Sequence, residues 1–308
     1  MSHESKAKSK FLSLTLDSRL SDSQTICIMR ATECASVGCQ GWNYEDWITG
    51  PASGDKVFYP QGTRASGMLE IYARAFGTVE VDSTFYAIPS AQTIEGWNRR
   101  TPPGFTFSLK LPQEITHVRG LRDGSAALLA EFCERARMLG DKLAAVLIQL
   151  PPQFLAVPEN KQALREFLPR LPRDIRFSIE FRHTDWMRRR VTDLLAKYNV
   201  ALALIEGRWI QRAEMEQFIL RPPANFVYIR WMGERDLSRF DTIQRAQDKN
   251  LRAWHETITE LRARTSDVFA YFSNFYEGHA PASANKLKRL LKQDVVEASS
   301  LEDQPSLF

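Results

Sequence analysis

The chain predicts an α/β fold: a single (β/α)8 TIM-like barrel over residues 35–292, with an N-terminal extension over 1–34 and a flexible C-terminal tail over 293–308. Three observations carry that reading. Eight apolar runs of strand length alternate with eight segments of helical periodicity, a pattern that needs parallel strands with helices packed outside them. Five of those runs, Thr78–Asp82, Phe105–Lys110, Ala144–Gln149, Phe177–Arg182 and Phe226–Arg230, finish in an ionisable or amide side chain, and barrels carry function at the carboxyl ends of their strands. No Gly-x-Gly-x-x-Gly or Walker-type loop follows any strand, which argues against an open nucleotide-binding sheet.

Taken in order, Ala35–Cys39 is the first strand and runs into a loop carrying Gly41, Trp42, Tyr44, Trp47, Tyr59 and Pro60. Met68, Ile71, Tyr72, Ala75 and Phe76 recur at helical spacing, so a helix covers 67–76 and the second strand follows at once. Ser90 can cap a helix that reaches Arg99, and Pro102 and Pro103 stop it ahead of the third strand. Further helices are expected over 125–139, 159–168, 184–198, 213–218, 242–264 and 282–292. They interleave with the fourth and fifth strands, a sixth at Val200–Ile205, the seventh, and an eighth at Val268–Ser273. Residues 1–34 are rich in Ser, Lys and Asp without sustained period and read as an extension ahead of the barrel.

A chain of 308 residues, 44% hydrophobic and 25% charged, can bury one large core. Its net charge of +4 is compatible with an anionic partner but lacks the dense Lys/Arg blocks of a nucleic-acid tail. No apolar run approaches the roughly 20 residues that span a bilayer. Residues 1–10 are polar with no secretory core behind them, so no membrane association and a cytoplasmic location are expected. Cys27, Cys34, Cys39 and Cys133 match neither zinc nor redox-pair spacings and read as free thiols.

Because side chains alternate along a strand, Glu80 and Asp82 oppose Val79 and Val81, while Ser178, Glu180 and Arg182 oppose Phe177, Ile179 and Phe181. On the polar face the earlier positions Thr106, Ser108, Ala145 and Ser178 are small, so polarity concentrates at the carboxyl ends. Glu80, Asp82 and Glu180 are the candidate acid/base carboxylates, since crowded carboxylates raise one another's pKa. The plainer alternative is that they pair with Lys110, Arg182 and Arg230, because buried charges must be matched. Lys110, among acids, is expected to stay an ammonium that binds an anion, and Arg182 and Arg230 suit bidentate phosphate or carboxylate recognition. His117 and His183 each follow a strand and are candidates for proton transfer. A single divalent cation on the carboxylates stays open without a diagnostic motif. Trp42, Tyr44, Tyr86 and Phe275 follow strands and are candidate pocket walls, with Gln149 and Asn274 placed to orient a substrate.

Gly38-Cys-Gln-Gly-Trp-Asn-Tyr44, Phe58-Tyr-Pro60, Val79-Glu-Val-Asp-Ser-Thr-Phe-Tyr86, Thr116-His117, Gln149-Leu-Pro-Pro-x-Phe154, Glu180-Phe-Arg182 with Trp186, and Tyr271-Phe-Ser-Asn274 occur in that order. This series resembles the domain-of-unknown-function 72 (YecE-like) family over roughly residues 35 to 292, and the resemblance implies a TIM-like barrel without naming a reaction. Three departures from the family pattern stand out: Cys39-Gln40 in place of Thr-Ser, Asp82 in place of a frequent Asn, and Met232 in place of a frequent His.

Outside the barrel, Gln304-Pro-Ser-Leu307-Phe308 is similar to the Gln-x-x-Leu-Phe peptide that docks bacterial polymerases and repair proteins on the replication sliding clamp. A glutamine and two apolar anchors on a free tail suit an apolar groove. The alternative is that Leu307 and Phe308 fold back onto the barrel. Together these features point to a hydrolase or lyase acting on a phosphate-containing substrate, including nucleic acid in DNA maintenance. Two alternatives remain: a sugar-phosphate isomerase or aldolase, and a non-catalytic DNA- or nucleotide-binding accessory protein.

Overall fold

The computed structural model describes residues 35–50, 57–219 and 221–301. Eight parallel strands close on themselves in sequence order. They are β1 (Ser36–Gln40), β2 (Thr78–Val81), β3 (Thr106–Lys110), β4 (Leu143–Gln149), β5 (Phe177–Glu180), β6 (Ala201–Gly207), β7 (Phe226–Gly233) and β8 (Asp267–Phe272). The described helices are α1 (Ala65–Ala75), α2 (Ala91–Arg99), α3 (Ser125–Arg137), α4 (Pro158–Phe167), α5 (Arg189–Ala196), α6 (Arg212–Ile219), α7 (Asp248–Arg262), α8 (Asn274–Glu277) and α9 (Ala280–Leu290). Ser90 caps α2 as expected, its Oγ accepting from the Thr93 N–H at 3.1 Å.

Two helices differ from their periodicity, each because tertiary contacts hold the chain. The expected helix over 184–198 is a short 3-10 turn, Thr184–Trp186, followed by α5. Trp186 is stacked on Phe154 and Phe181 and donates its Nε1–H to the Phe154 carbonyl at 2.6 Å, while Arg188 takes an extended conformation. The expected helix over 242–264 starts only at Asp248. The amides of Gln244 and Arg245 are taken by the Glu277 carbonyl at 2.6 and 3.0 Å, which keeps that stretch as loop.

Small residues in the lumen make room for large ones. The Tyr271 hydroxyl reaches across from β8 to Ser108 at 2.8 Å and Thr78 at 2.9 Å, and its ring lies 5.3 Å from that of Tyr228. Register then sets a polar level above them: Gln40 stands opposite Glu80, Gln149 opposite Glu180, and Arg230 opposite both Ile205 and Tyr271. Cys39 and Cys133 are buried free thiols, while Cys27 and Cys34 lie outside the described residues. Among the described residues no helix is long and apolar enough to cross a membrane.

The first part of the expected tail lies on the barrel. Gln293 donates its side-chain N–H to the Ala35 carbonyl at 2.8 Å, Glu297 pairs with Arg289, and the turn Ala298–Leu301 buries Leu301. Gln304, Leu307 and Phe308 lie outside the described residues.

Closure of the barrel demands a close approach at Gly38, where a Cβ would sit 2.2 Å from the Thr78 carbonyl oxygen. Gly38→Ala is expected to lower unfolding stability by about 1–3 kcal/mol, the range for overpacked cores. Urea denaturation checks this: an unchanged midpoint would mean that β1 and β2 are free to separate.

Candidate active site

Alternation along the strands turns Glu80, Lys110, Gln149, Glu180 and Arg230 into the lumen near its carboxyl end, with Tyr228 two residues below Arg230 on β7. Arg230 is 0% exposed and organises the level. Its Nε donates to Glu80 Oε2 at 2.9 Å and its Nη2 to Glu80 Oε1 at 2.7 Å, a bidentate pair. Its Nη1 donates to Gln149 Oε1 at 3.1 Å and to Glu180 Oε2. The Tyr228 hydroxyl adds a bond to Glu80 Oε2 at 2.8 Å, and Arg182 Nε donates to Glu180 Oε1 at 2.7 Å. Lys110 then lies 3.3 Å from Glu80 Oε1 and bonds Asp82. Three carboxylates alternate with three cations, so the level is formally neutral.

Burial pushes the Glu180 carboxyl up, but Arg230 and Arg182 outweigh it and hold the group at about 2. Burial opposes the charge on Arg230, whose pKa nevertheless rises because Glu180 and Glu80 embrace it. The Tyr228 hydroxyl is raised by burial and by the Glu80 charge, so it stays protonated and donates. Above this level a cavity of about 180 Å³ opens, lined by Gln40, Tyr44, Asp82, Phe85, Tyr86, Lys110, Gln149, Met232, Arg235, Ser273 and Phe275. The Asp82 side chain is 37% exposed there, whereas Glu80 and Glu180 are buried. Gly233, at φ +61°, has no Cβ, and one placed there would sit 2.1 Å from the Phe275 carbonyl oxygen, so the end of β7 packs closely on the segment that carries Phe275 to the wall.

A family model described as "Protein of unknown function DUF72" matches residues 36–306. The chain belongs to this family. It is 26% identical over 285 residues to UPF0759 protein YunF of Bacillus subtilis (strain 168), covering 83% of this chain and 94% of that protein. It is 27% identical over 220 residues to UPF0759 protein YecE of Escherichia coli (strain K12), covering 65% and 80%. Its fold is similar to crystal structures of DUF72 family proteins from Thermotoga maritima MSB8 and Enterococcus faecalis V583. The TM-scores are 0.69 and 0.67, at 24% and 18% identity, and the alignments cover 84% and 89% of this chain and 99% and 100% of theirs.

Several side chains expected to meet substrate in this DUF72 barrel stand elsewhere. Arg230 is spent on Glu80, Glu180 and Gln149 and has no exposed atom for an anion. Asn274 is buried, its Oδ1 accepting from Trp47 Nε1 at 3.1 Å and from the Ala280 N–H at 3.0 Å, so it ties the end of β8 to α9. Trp42 packs edge-on against Trp97 at 6.0 Å, away from the cavity lining. His183 turns to Asp185 at 3.4 Å and caps the turn after β5. His117 lies in a π-helical turn, Glu114–Val118, with Thr116 Oγ1 2.8 Å from its Nδ1 and its ring on Phe85. Burial and the Arg182 charge lower its pKa, which favours the neutral imidazole. Among the described residues no three His, Cys, Asp or Glu side chains form a group that could hold a metal. Glu80, Asp82 and Glu180 are instead separated by Lys110 and Arg230.

Sequence reasoning missed Gln40, Phe85, Met232, Arg235 and Ser273 on the wall, and Tyr228 beneath. Gln40 and Tyr228 were reachable by the alternation rule, as the last inward position of β1 and the position two before Arg230. Arg235 lies on the loop after β7, where no periodicity marks it.

The depressed Glu180 pKa has a defined sign in stability. Its carboxyl is held at about 2 in the fold against an ordinary 4.5, so its contribution is complete above about 4.5 and fades as pH falls towards 2. Glu180→Gln should be less stable than wild type near neutral pH and lose less on acidification, as measured by urea midpoints across that window. Parallel acid profiles for the two proteins would show that Glu180 is not held by the two arginines.

Proposed function

We propose that this protein is an enzyme of the lyase type, acting at the barrel mouth on a small phosphate-bearing substrate. The observation that carries the reading is that Asp82 is the accessible carboxylate of the three, bonded to Lys110 on the cavity side of a neutral, buried network. Paired-carboxylate hydrolysis needs two reachable acids, one protonated, and Glu80 and Glu180 are sealed by arginines. One carboxylate beside an ammonium suits proton abstraction followed by elimination. Asp82 takes the proton from the carbon next to a carbonyl, and the electron pair moves onto the carbonyl oxygen, where Lys110 stabilises the oxyanion. Collapse of that oxyanion expels the β-hydroxyl as water. Among the described residues Arg235 meets no carboxylate, and on the cavity wall it takes the place expected of Arg230 as the contact for the substrate's anionic group. Gln40 and Gln149 orient hydroxyls, and Tyr44, Phe85 and Phe275 exclude water from the ring or chain. A cavity of about 180 Å³ suits a compact sugar phosphate.

The test is incubation with a panel of triose, tetrose and pentose phosphates in D2O, followed by NMR of carbon-bound protons. Loss or exchange of one proton is expected in the wild type, with a fall of roughly 10²–10⁴-fold in Asp82→Asn and in Lys110→Met. Turnover that survives both substitutions, or none with any panel member, would remove the proposal.

A second reading, nucleic acid, draws on Tyr86, which is 72% exposed at the cavity rim and free to stack on a base or sugar. The surrounding arginines are largely matched, Arg119 to Glu114, Arg239 to Asp241 and Arg245 to Asp236, so this reading takes a single extruded or unpaired nucleotide rather than a duplex face. It joins naturally to the clamp-like peptide. Leu307→Ala combined with Phe308→Ala should abolish binding to a bacterial sliding clamp in calorimetry and leave the melting curve of the barrel unchanged. A full-length protein that releases no heat with the clamp would take away the DNA-maintenance reading.

A further inference from the structure

At the opposite end of the barrel, below the amino ends of β4 and β5, lies a cleft of about 590 Å³, roughly three times the mouth cavity. Its volume is in the range of sites for nucleotide-sized ligands. The floor is apolar, formed by Leu171, Ile175 and Phe177, and the walls carry Arg137, Arg173 and Arg176 against one acid, Asp174. Arg137 is held flat by Asp174, Nε to Oδ2 at 2.6 Å and Nη2 to Oδ1 at 3.0 Å. Arg176 is steadied by Asp267 on the rim, at 3.2 Å. Among the described residues Arg173 meets no carboxylate: its guanidinium lies over the Tyr198 ring, 5.9 Å from the centroid.

Fold stability does not call for this arrangement. Exposed ion pairs contribute little to stability, and Arg173 makes none with the described residues. Three guanidiniums face one groove, and Asp174 and Asp267 match two of them, so one positive charge is left over for an anion that would join all three. The planar forks of arginine match phosphate oxygens, and two of the three are already held in place, so little side-chain freedom is lost on binding. The half-buried Tyr198 ring and the apolar floor offer a surface for a non-phosphate portion.

We propose that this cleft is a second ligand site, for an anion that carries two or more linked phosphate groups. It is separate from the mouth and independent of the reaction proposed there. The ligand chemistry is shared by inorganic polyphosphates and nucleoside polyphosphates, and the two are distinguished by the floor: a nucleoside adds contacts that a bare chain does not.

Calorimetry on the full chain with inorganic triphosphate and, separately, ATP tests it. Binding that weakens with salt is expected for both, and roughly tenfold weaker binding in Arg173→Ser with Arg176→Ser, since each removes a charge-assisted contact. Both positions are exposed, and an unchanged melting curve establishes that the variant is folded. Tighter ATP binding that falls to the triphosphate value in Tyr198→Leu identifies the nucleoside class, and equal binding identifies the phosphate chain alone. Absence of binding at millimolar concentration, or binding that survives the double substitution and vanishes in Lys110→Met, would overturn the site.

Discussion

A fully buried guanidinium has to be neutralised within the protein, because an isolated charge in an apolar interior costs more than any fold can supply. Arg230 meets that demand with Glu80 across the lumen and Glu180 from β5, and most of the mouth follows from it. Each carboxylate then needs its remaining lone pairs matched: Tyr228 and Lys110 serve Glu80, and Arg182 serves Glu180. With Gln149 of β4 also accepting from Arg230, five strands are tied together at the mouth. Replacing such a network by apolar side chains is often neutral for stability, so its presence says more about placement than about strength. What it places is Lys110, held from below by Glu80 and turned towards Asp82 and the cavity.

Sealed and open charges divide the mouth into a buried scaffold and groups that solvent reaches. Glu180 is held as a carboxylate by Arg230 and Arg182 against the effect of burial, so it has no proton to give in the neutral range. Asp82, one residue past β2, sits where the strand has ended and the chain turns, and solvent reaches it. A buried acid on β2 and an exposed one just past its end thus stand two residues apart. Met232 lines that part of the wall, its sulfur accepting from Gln40 Nε2 at 3.2 Å, which makes it soft and uncharged.

The barrel itself was legible from the sequence because its signals are local. Strand runs such as Phe177–Glu180 and cap residues such as Ser90 report on their own segments. The level of charges was legible too, since alternation and parallel register convert strand ends into one ring. What sequence could not separate was burial within that ring. Arg230 and Arg182 end their strands alike, yet one is sealed by two carboxylates from other strands. Asn274 and Trp42 went astray for a related reason: both follow strands, but Trp47 and Trp97 draw them into loop packing. Loop positions such as Arg235, and the cleft at the far end of the barrel, carry no periodic signal at all.

The central claim is that Arg230 builds the mouth while Lys110, Asp82 and Arg235 meet the ligand. A crystal structure of the full chain soaked with a pentose phosphate tests it most directly. The account predicts the phosphate on Arg235, the sugar between Tyr44 and Phe85 within hydrogen-bond reach of Lys110 and Asp82, and Arg230 unmoved on Glu80 and Glu180. A phosphate bound to Arg230 itself, with either carboxylate displaced, would contradict it.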